Sequence, residues 1–242
     1  MAALNEYNVV GGLIGLGEFI LLEIVSESID LEDVQQIVFI NKKTYKLKDH
    51  IRFHKSIDNK INIALSITVP EGDYTKKDDE FTFTSNTTDW LTFPIDCQIT
   101  RGIYRCEFKI SEYSHFIFFG IKKSGLIIPF GQRPQDQPYA KGNMYFLYNG
   151  TVKQNDIETY GNNFMKNGDL ISVEVNMDIV PRTVKLFING NLQPIYMSGI
   201  PDSIQFSFSL WATGNTITVQ SLKRLVQSTD ATIQGAKEVK WE

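Results

Sequence analysis

The spacing of apolar residues changes character near residue 60. Before it, the period is helical. Leu16, Phe19, Ile20, Leu22 and Val25 recur at steps of three and four, which puts them on one face of a helix. Asp30 then reads as an N-cap, with Asp33 three residues on to complement the helix N-terminus. Leu31, Val34, Ile37 and Val38 form the apolar face of a second helix. Lys42 and Lys43 fall at its C-terminal end, where the helix dipole favours them, and Thr44, Leu47 and Ile51 continue as a third short helix. A unit of this size buries too little surface to fold well alone.

After residue 60 the period becomes two. Ile61, Ile63, Leu65 and Ile67 alternate, with Val69 closing the run, and Phe81 and Phe83 alternate with threonines. Tyr104, Cys106, Phe108 and Ile110 stand against Arg105, Glu107 and Lys109, one dry face and one wet face of an antiparallel strand. Further strands are expected at 171–175, 184–188, 204–210 and 217–219, and Asn189-Gly190 predicts a type I′ hairpin turn. Tyr74 to Glu80 (YTKKDDE) reads as a charged loop and 125–143 as a long ordered loop. The residues after Leu225 read as a tail, either loose or paired at an edge. Many short strands with no helices between them predict a sandwich or barrel. The chain thus divides into a helical segment (1–58), a β-sandwich (59–225) and a tail (226–242).

The remaining features narrow the function. Over 242 residues, 28 acids against 24 bases leave a net charge of −4, without the basic surplus of a nucleic-acid binder. The apolar run Val9–Val25 is interrupted by Glu18 and Glu23. It has no basic residue before it and is too short to span a bilayer, so no membrane partner is expected and the chain reads as intracellular, cytoplasmic or nuclear. Cys97 and Cys106 read as reduced thiols. Asn86 and Asn149 open glycosylation triplets that matter only in a secreted chain. His50 and His54 are spaced to share a helix face, but two ligands do not complete a zinc site. Gly11, Gly12, Gly15 and Gly17 do not fit the dinucleotide fingerprint, and Asp78-Asp79 lacks a calcium-loop pattern. With no nucleophile elbow and Cys106 at a core position, neither an enzyme nor a cofactor is expected.

Residues 81–222 resemble a SPRY domain. The resemblance is carried by Gly102–Ile110, by Phe118-Phe119-Gly120-Ile121, and most of all by Tyr160-Gly161, Phe164 and Gly168-Asp169-Leu170-Ile171, followed by Val175, Asp178 and Arg182–Gly190. It implies a two-sheet antiparallel sandwich of concanavalin-like jelly-roll type that binds a protein or peptide with loops at one end. Trp211, Thr213 and Asn215 would lie in that surface, with Tyr139, Arg133 and Tyr148 on or near the long loop. Trp211 is equally compatible with a place in the core. The segment 14–55 resembles an F-box, on Leu16–Ser26, Ile29–Val34 and Phe39–Tyr45, although Gly17 stands where that family usually has proline. That resemblance implies a substrate receptor of a cullin–RING ubiquitin ligase, with Leu16, Phe19, Leu21, Leu22, Val25, Ile29, Leu31, Val34 and Val38 docking the adaptor. The alternatives are a SPRY binding module without a ligase role and a structural or lectin-like jelly roll.

Overall fold

A computed structural model describes residues 12–28, 31–77, 81–114, 116–225, 227–229, 233 and 235–242. It divides into two compact units, Met1–Ile63 and Ala64–Glu242.

The first unit is helical. A 3-10 turn at Gly12–Gly15 precedes α1 (Glu18–Glu27), α2 (Leu31–Phe39), α3 (Lys42–Tyr45), a second 3-10 turn (Lys46–Asp49), α4 (Ile51–Ile61) and a two-residue extended piece, β1 (Asn62–Ile63). Leu21, Leu22, Val25, Val34, Val38 and Leu47 form its core, with Leu16, Ile37, Phe53 and Ile57 packed against them. The expected N-cap, Asp30, lies outside the described residues. Lys42 and Lys43 do not end α2 as the sequence suggests. Asn41 starts a new helix there: its Oδ1 accepts from the amides of Lys43 and Thr44, and Thr44 Oγ1 accepts from the Asn41 amide. This reciprocal capping box fixes a helix start and places both lysines in its first turn. The strand expected from Ile61 is shifted as well. Ile61 closes α4, and Ile67 makes an isolated bridge to Ile95.

The second unit is a sandwich of two mostly antiparallel sheets. Its strands are β2 (Tyr74–Lys77), β3 (Thr82–Ser85), β4 (Leu91–Pro94), β5 (Ile103–Glu112), β6 (Ile117–Lys123), β7 (Asn143–Leu147), β8 (Thr151–Gln154), β9 (Ile157–Tyr160), β10 (Leu170–Asn176), β11 (Thr183–Ile188), β12 (Asn191–Leu192), β13 (Ile195–Ser198), β14 (Ile204–Leu210), β15 (Thr216–Leu225) and β16 (Lys237–Lys240). The larger sheet runs β16-β13-β11-β10-β5-β15-β3-β2, and the smaller β4-β14-β6-β7-β8-β9. In β5, Cys106, Phe108 and Ile110 are fully buried while Arg105, Glu107 and Lys109 are half-buried, as the alternation predicts; Tyr104, expected on the dry face, is half-buried as well. Aromatic rings join the layers. Phe108 of the larger sheet meets Phe119 of the smaller at 5.0 Å, and Phe83 meets Phe93 at 4.8 Å, with Phe93 stacked on Phe208. Offset and tilted pairs of this kind add to simple area burial.

Turn chemistry sets the register. Asn189 (φ 51°) and Gly190 (φ 78°) both take left-handed backbone, and Ile188 pairs Asn191 across the turn. Asp169 holds the preceding turn by accepting from the Lys166 amide at 2.7 Å, and Asn189 Nδ2 donates to Asp169. Asp178 accepts from the Gly102 amide.

One segment departs from the sequence reading and another settles an alternative. Tyr74–Lys77, read as loop, pairs with β3 as an edge strand: Tyr74 packs on Phe83 and Phe93 while Thr75, Lys76 and Lys77 stay exposed. An edge tolerates such charge because one side has no further strand to meet. Of the two readings of the C-terminal residues, loose or paired at an edge, the structure shows the second. Buried Glu174 accepts from Arg105, from the hydroxyls of Ser228 and Thr229 and from the Thr229 amide. β16 then pairs in parallel with β13, and Glu242 and Gln154 exchange two hydrogen bonds. Every outermost strand carries a charge or a proline: Lys76 and Lys77 on β2, Lys237, Glu238 and Lys240 on β16, Glu158 on β9, and Pro94 on β4.

Candidate functional site

The antiparallel registers of the smaller sheet bring five connections to one end of the sandwich. Leu210 pairs with both Leu91 and Ile117, Phe118 pairs with Leu147, and Thr151 pairs with Tyr160. The segments 86–90, 113–114 with Phe116, 148–150, 161–166 and 211–215 therefore form a common rim. Hydrogen bonds tie them together. The Ser114 amide donates to Asn215 Oδ1 at 2.9 Å, Tyr113 Oη donates to the Met165 carbonyl, and the Met165 amide donates to the Tyr148 carbonyl.

An aromatic cluster fills this rim. Trp90 stacks on Phe118 at 4.9 Å and lies 6.3 Å from Trp211. Phe116 meets Trp211 edge-on at 5.3 Å and Tyr148 edge-on at 5.6 Å, and Tyr148 meets Tyr113 at 5.9 Å. The inner members Trp90, Phe118 and Tyr145 are buried; Phe116, Trp211, Tyr148 and Tyr113 are half-buried. The exposed Arg133 guanidinium stands 6.0 Å over the Trp90 ring, with Asp136 4.0 Å away. Burial pushes the Tyr145 phenol up to about 12, and burial followed by the neighbouring Tyr148 and Asp169 pushes up Tyr113, so both are neutral donors at ordinary pH. The rim thus offers flat apolar surface with a guanidinium at its margin. Half-exposed tryptophan, tyrosine and arginine together are the side chains that anchor protein interfaces.

Trp211, Tyr148 and Arg133, chosen from sequence, belong to this one cluster, and Thr213 is exposed on the turn beside Trp211. Asn215 is fully buried and serves the rim from within, by holding Ser114. Tyr139 opens a 3-10 turn, Tyr139–Gly142, whose first carbonyl accepts from Asn143 Nδ2. Trp90, Phe116 and Tyr113 were not chosen, although Trp90 immediately precedes a short apolar strand and was the available signal.

In the helical unit the proposed docking residues divide sharply. Leu21, Leu22, Val25, Val34 and Val38 are consumed by the unit's own core, and Leu16 is half-buried against it. Phe19 is 68% exposed. Ile29 and the side chain of Leu31 lie outside what is described. The apolar surface this unit presents is instead Phe19, Ile20, Phe39, Ile40, Tyr45 and Ile51, with a cavity of about 350 Å³ beside Phe39 and Tyr45.

Among the described residues no group of three His, Cys, Asp or Glu is placed to hold a metal. Burial pushes both thiols up, Cys106 far more than Cys97, which keeps them protonated and weakly nucleophilic. No helix among the described residues is long and apolar enough to cross a membrane.

No protein-family model and no curated protein matches the chain. Solved structures do. The TRIM65 PSpry domain is 8% identical over 69% of this chain and 93% of its own, with a TM-score of 0.50. The SPRY domain of human HERC1 is 12% identical over 68% of this chain and 100% of its own, with a TM-score of 0.48. The carbohydrate-binding module CBM66 of Bacillus subtilis is 10% identical over 66% of this chain and 95% of its own, with a TM-score of 0.42. At these identities the likeness speaks to fold, and the fold of the second unit is the SPRY-type jelly-roll sandwich. The first segment is a small helical unit.

Proposed function

We propose that this chain is a non-catalytic, protein-binding protein whose sandwich grips an extended segment of a partner with the aromatic rim. One observation carries the reading: segments far apart in sequence deliver Trp211, Phe116, Tyr148 and Tyr113 to a single half-exposed surface, with Arg133 at its margin. A partner side chain would stack on the rings, and a carboxylate or carbonyl would meet the guanidinium.

In the finer form of the proposal the helical unit docks the adaptor of a cullin–RING ubiquitin ligase in the cytoplasm or nucleus, and the chain acts as substrate receptor. It would work by proximity, raising the local concentration of substrate lysines. Because the central leucines are buried, docking is assigned to the exposed set around Phe39 and Tyr45.

The test begins with peptides selected by display on the full chain and titrated by tryptophan fluorescence. Trp211→Ala and Arg133→Ala should each weaken binding by about tenfold or more, the range of interface anchors. Arg133→Ala should leave the melting midpoint unchanged, since that side chain is exposed. Ligands insensitive to both variants would refute the rim. Adaptor co-purification lost in Phe39→Asp plus Tyr45→Asp supports the ligase role; an adaptor that ignores the wild type leaves a binding module alone.

A further inference from the structure

At the opposite end of the smaller sheet a second cavity, of about 300 Å³, opens on the outer face. Its size is at the lower end for small-molecule pockets, ~300–1,000 Å³. Pro70, Pro94, Leu126 and Ile127 give it apolar walls. Three side chains from adjacent strands make the polar floor: Thr92 on β4, Gln205 on β14 and Lys122 on β6, with Gln205 directly opposite Lys122 in the register.

Lys122 is the unusual member. It is 4% exposed, so its ammonium sits where a bare charge is costly. Two of its three protons are placed, on the Leu126 carbonyl and on Gln205 Oε1, each at 2.8 Å. Both acceptors are neutral. Among the described residues no carboxylate forms an ion pair with it. The other ionisable lining group, Asp96, is exposed and turns its two oxygens to the hydroxyls of Ser66 and Thr68. If the role of residue 122 were only to staple the loop through Leu126, a neutral donor would serve without the cost of burying a cation. Asp96 acts on Lys122 only through space, so the ammonium keeps one N–H with no anion paired to it.

We propose that this cavity binds small aliphatic monocarboxylates, the carboxylate taking the remaining proton of Lys122 Nζ while the hydrocarbon body lies on Pro70, Pro94, Leu126 and Ile127. The site is separate from the aromatic rim and does not depend on what the rim binds. Burial lowers the ammonium pKa while the Asp96 charge works to raise it, and a bound carboxylate would further favour the charged form.

The experiment titrates 4-methylpentanoate into the full chain by calorimetry, with amide NMR shifts locating the contact. Binding should perturb Lys122, Leu126 and Gln205 and leave Trp211 and Tyr148 unmoved. The neutral isostere 4-methylpentanamide should bind about tenfold more weakly, as expected when a charge-assisted hydrogen bond is replaced by a neutral one. Lys122→Met should lose binding, and Asp96→Asn should tighten it about two- to fivefold by removing a like charge near the ligand. Asp96 is exposed, so that variant folds even where Lys122→Met does not. Acid and amide binding equally, weaker binding by Asp96→Asn, or no saturation by about 20 mM acid, beyond the weak end of specific affinities, would each overturn the proposal.

Discussion

Phe116 shows how one residue couples conformation to the rim. Its φ of 43° lies in the left-handed region, which for a bulky side chain costs about 1–2 kcal/mol. Its ring is held between Trp211 and Tyr148, contacts worth about 0.5–1.5 kcal/mol each. Phe116→Ala loses the rings and keeps the strain; Phe116→Gly loses the rings and relaxes the backbone. Urea denaturation should therefore find the glycine variant more stable than the alanine variant by about 1 kcal/mol, the reverse of the order at an ordinary strand position.

Glu174 makes the corresponding case for charge. Burial works to raise its pKa, but the bond from Arg105 and those from Thr229 and Ser228 outweigh it and hold it below the ordinary value of 4.5. Glu107 behaves likewise, burial being outweighed by Lys223 and Ser221. A carboxylate with a depressed folded pKa stabilises the fold above its unfolded pKa and stops doing so as pH falls through the folded one. The melting midpoint should be flat from neutral pH down to about 5 and fall below about 4.5. Glu174→Gln should flatten that acid limb and lower neutral stability by about 2 kcal/mol, the scale of a hydrogen bond to a charged group.

At the scale of elements, the readable parts of the fold are those whose two faces differ or whose turns demand special residues. β5 alternates because one face is wet, and the hairpin between β11 and β12 is visible in Asn189-Gly190. Gly190→Ala, at φ 78°, should cost about 1 kcal/mol in thermal melts. β7 is buried at all five positions, so it has no alternation to detect. Its outer face is covered by the loop before it, whose carbonyls at Pro134 and Tyr139 accept from Asn143. The boundary between α2 and α3 was missed because Asn41 is legible as a cap only once Thr44 is seen to answer it. The rim was half legible for a similar reason. Trp211 stands out in the sequence, but its neighbours Trp90 and Phe116 reach it only through the pairing of β14 with β4 and β6.

For the whole molecule, the division at Ile63 predicts unequal independence. Residues 64–242, with two aromatic-packed sheets, should unfold cooperatively on their own. Residues 12–63, with a core of six buried apolar side chains, should show little stable helix by circular dichroism unless a partner is present. A cooperative melt from the short piece would contradict this.

The guarded outer strands bear on how the protein behaves in a crowded solution. An open row of backbone donors and acceptors invites another copy to zip alongside, and lysines on such a row discourage it by repulsion and hydration. Replacing Lys76 and Lys77 by valine would leave Tyr-Thr-Val-Val on β2, a short stretch of high sheet propensity without charge. That variant should seed thioflavin-positive fibres at concentrations where the parent remains clear, and in doing so would show that its colloidal solubility resides in a few side chains of one edge strand.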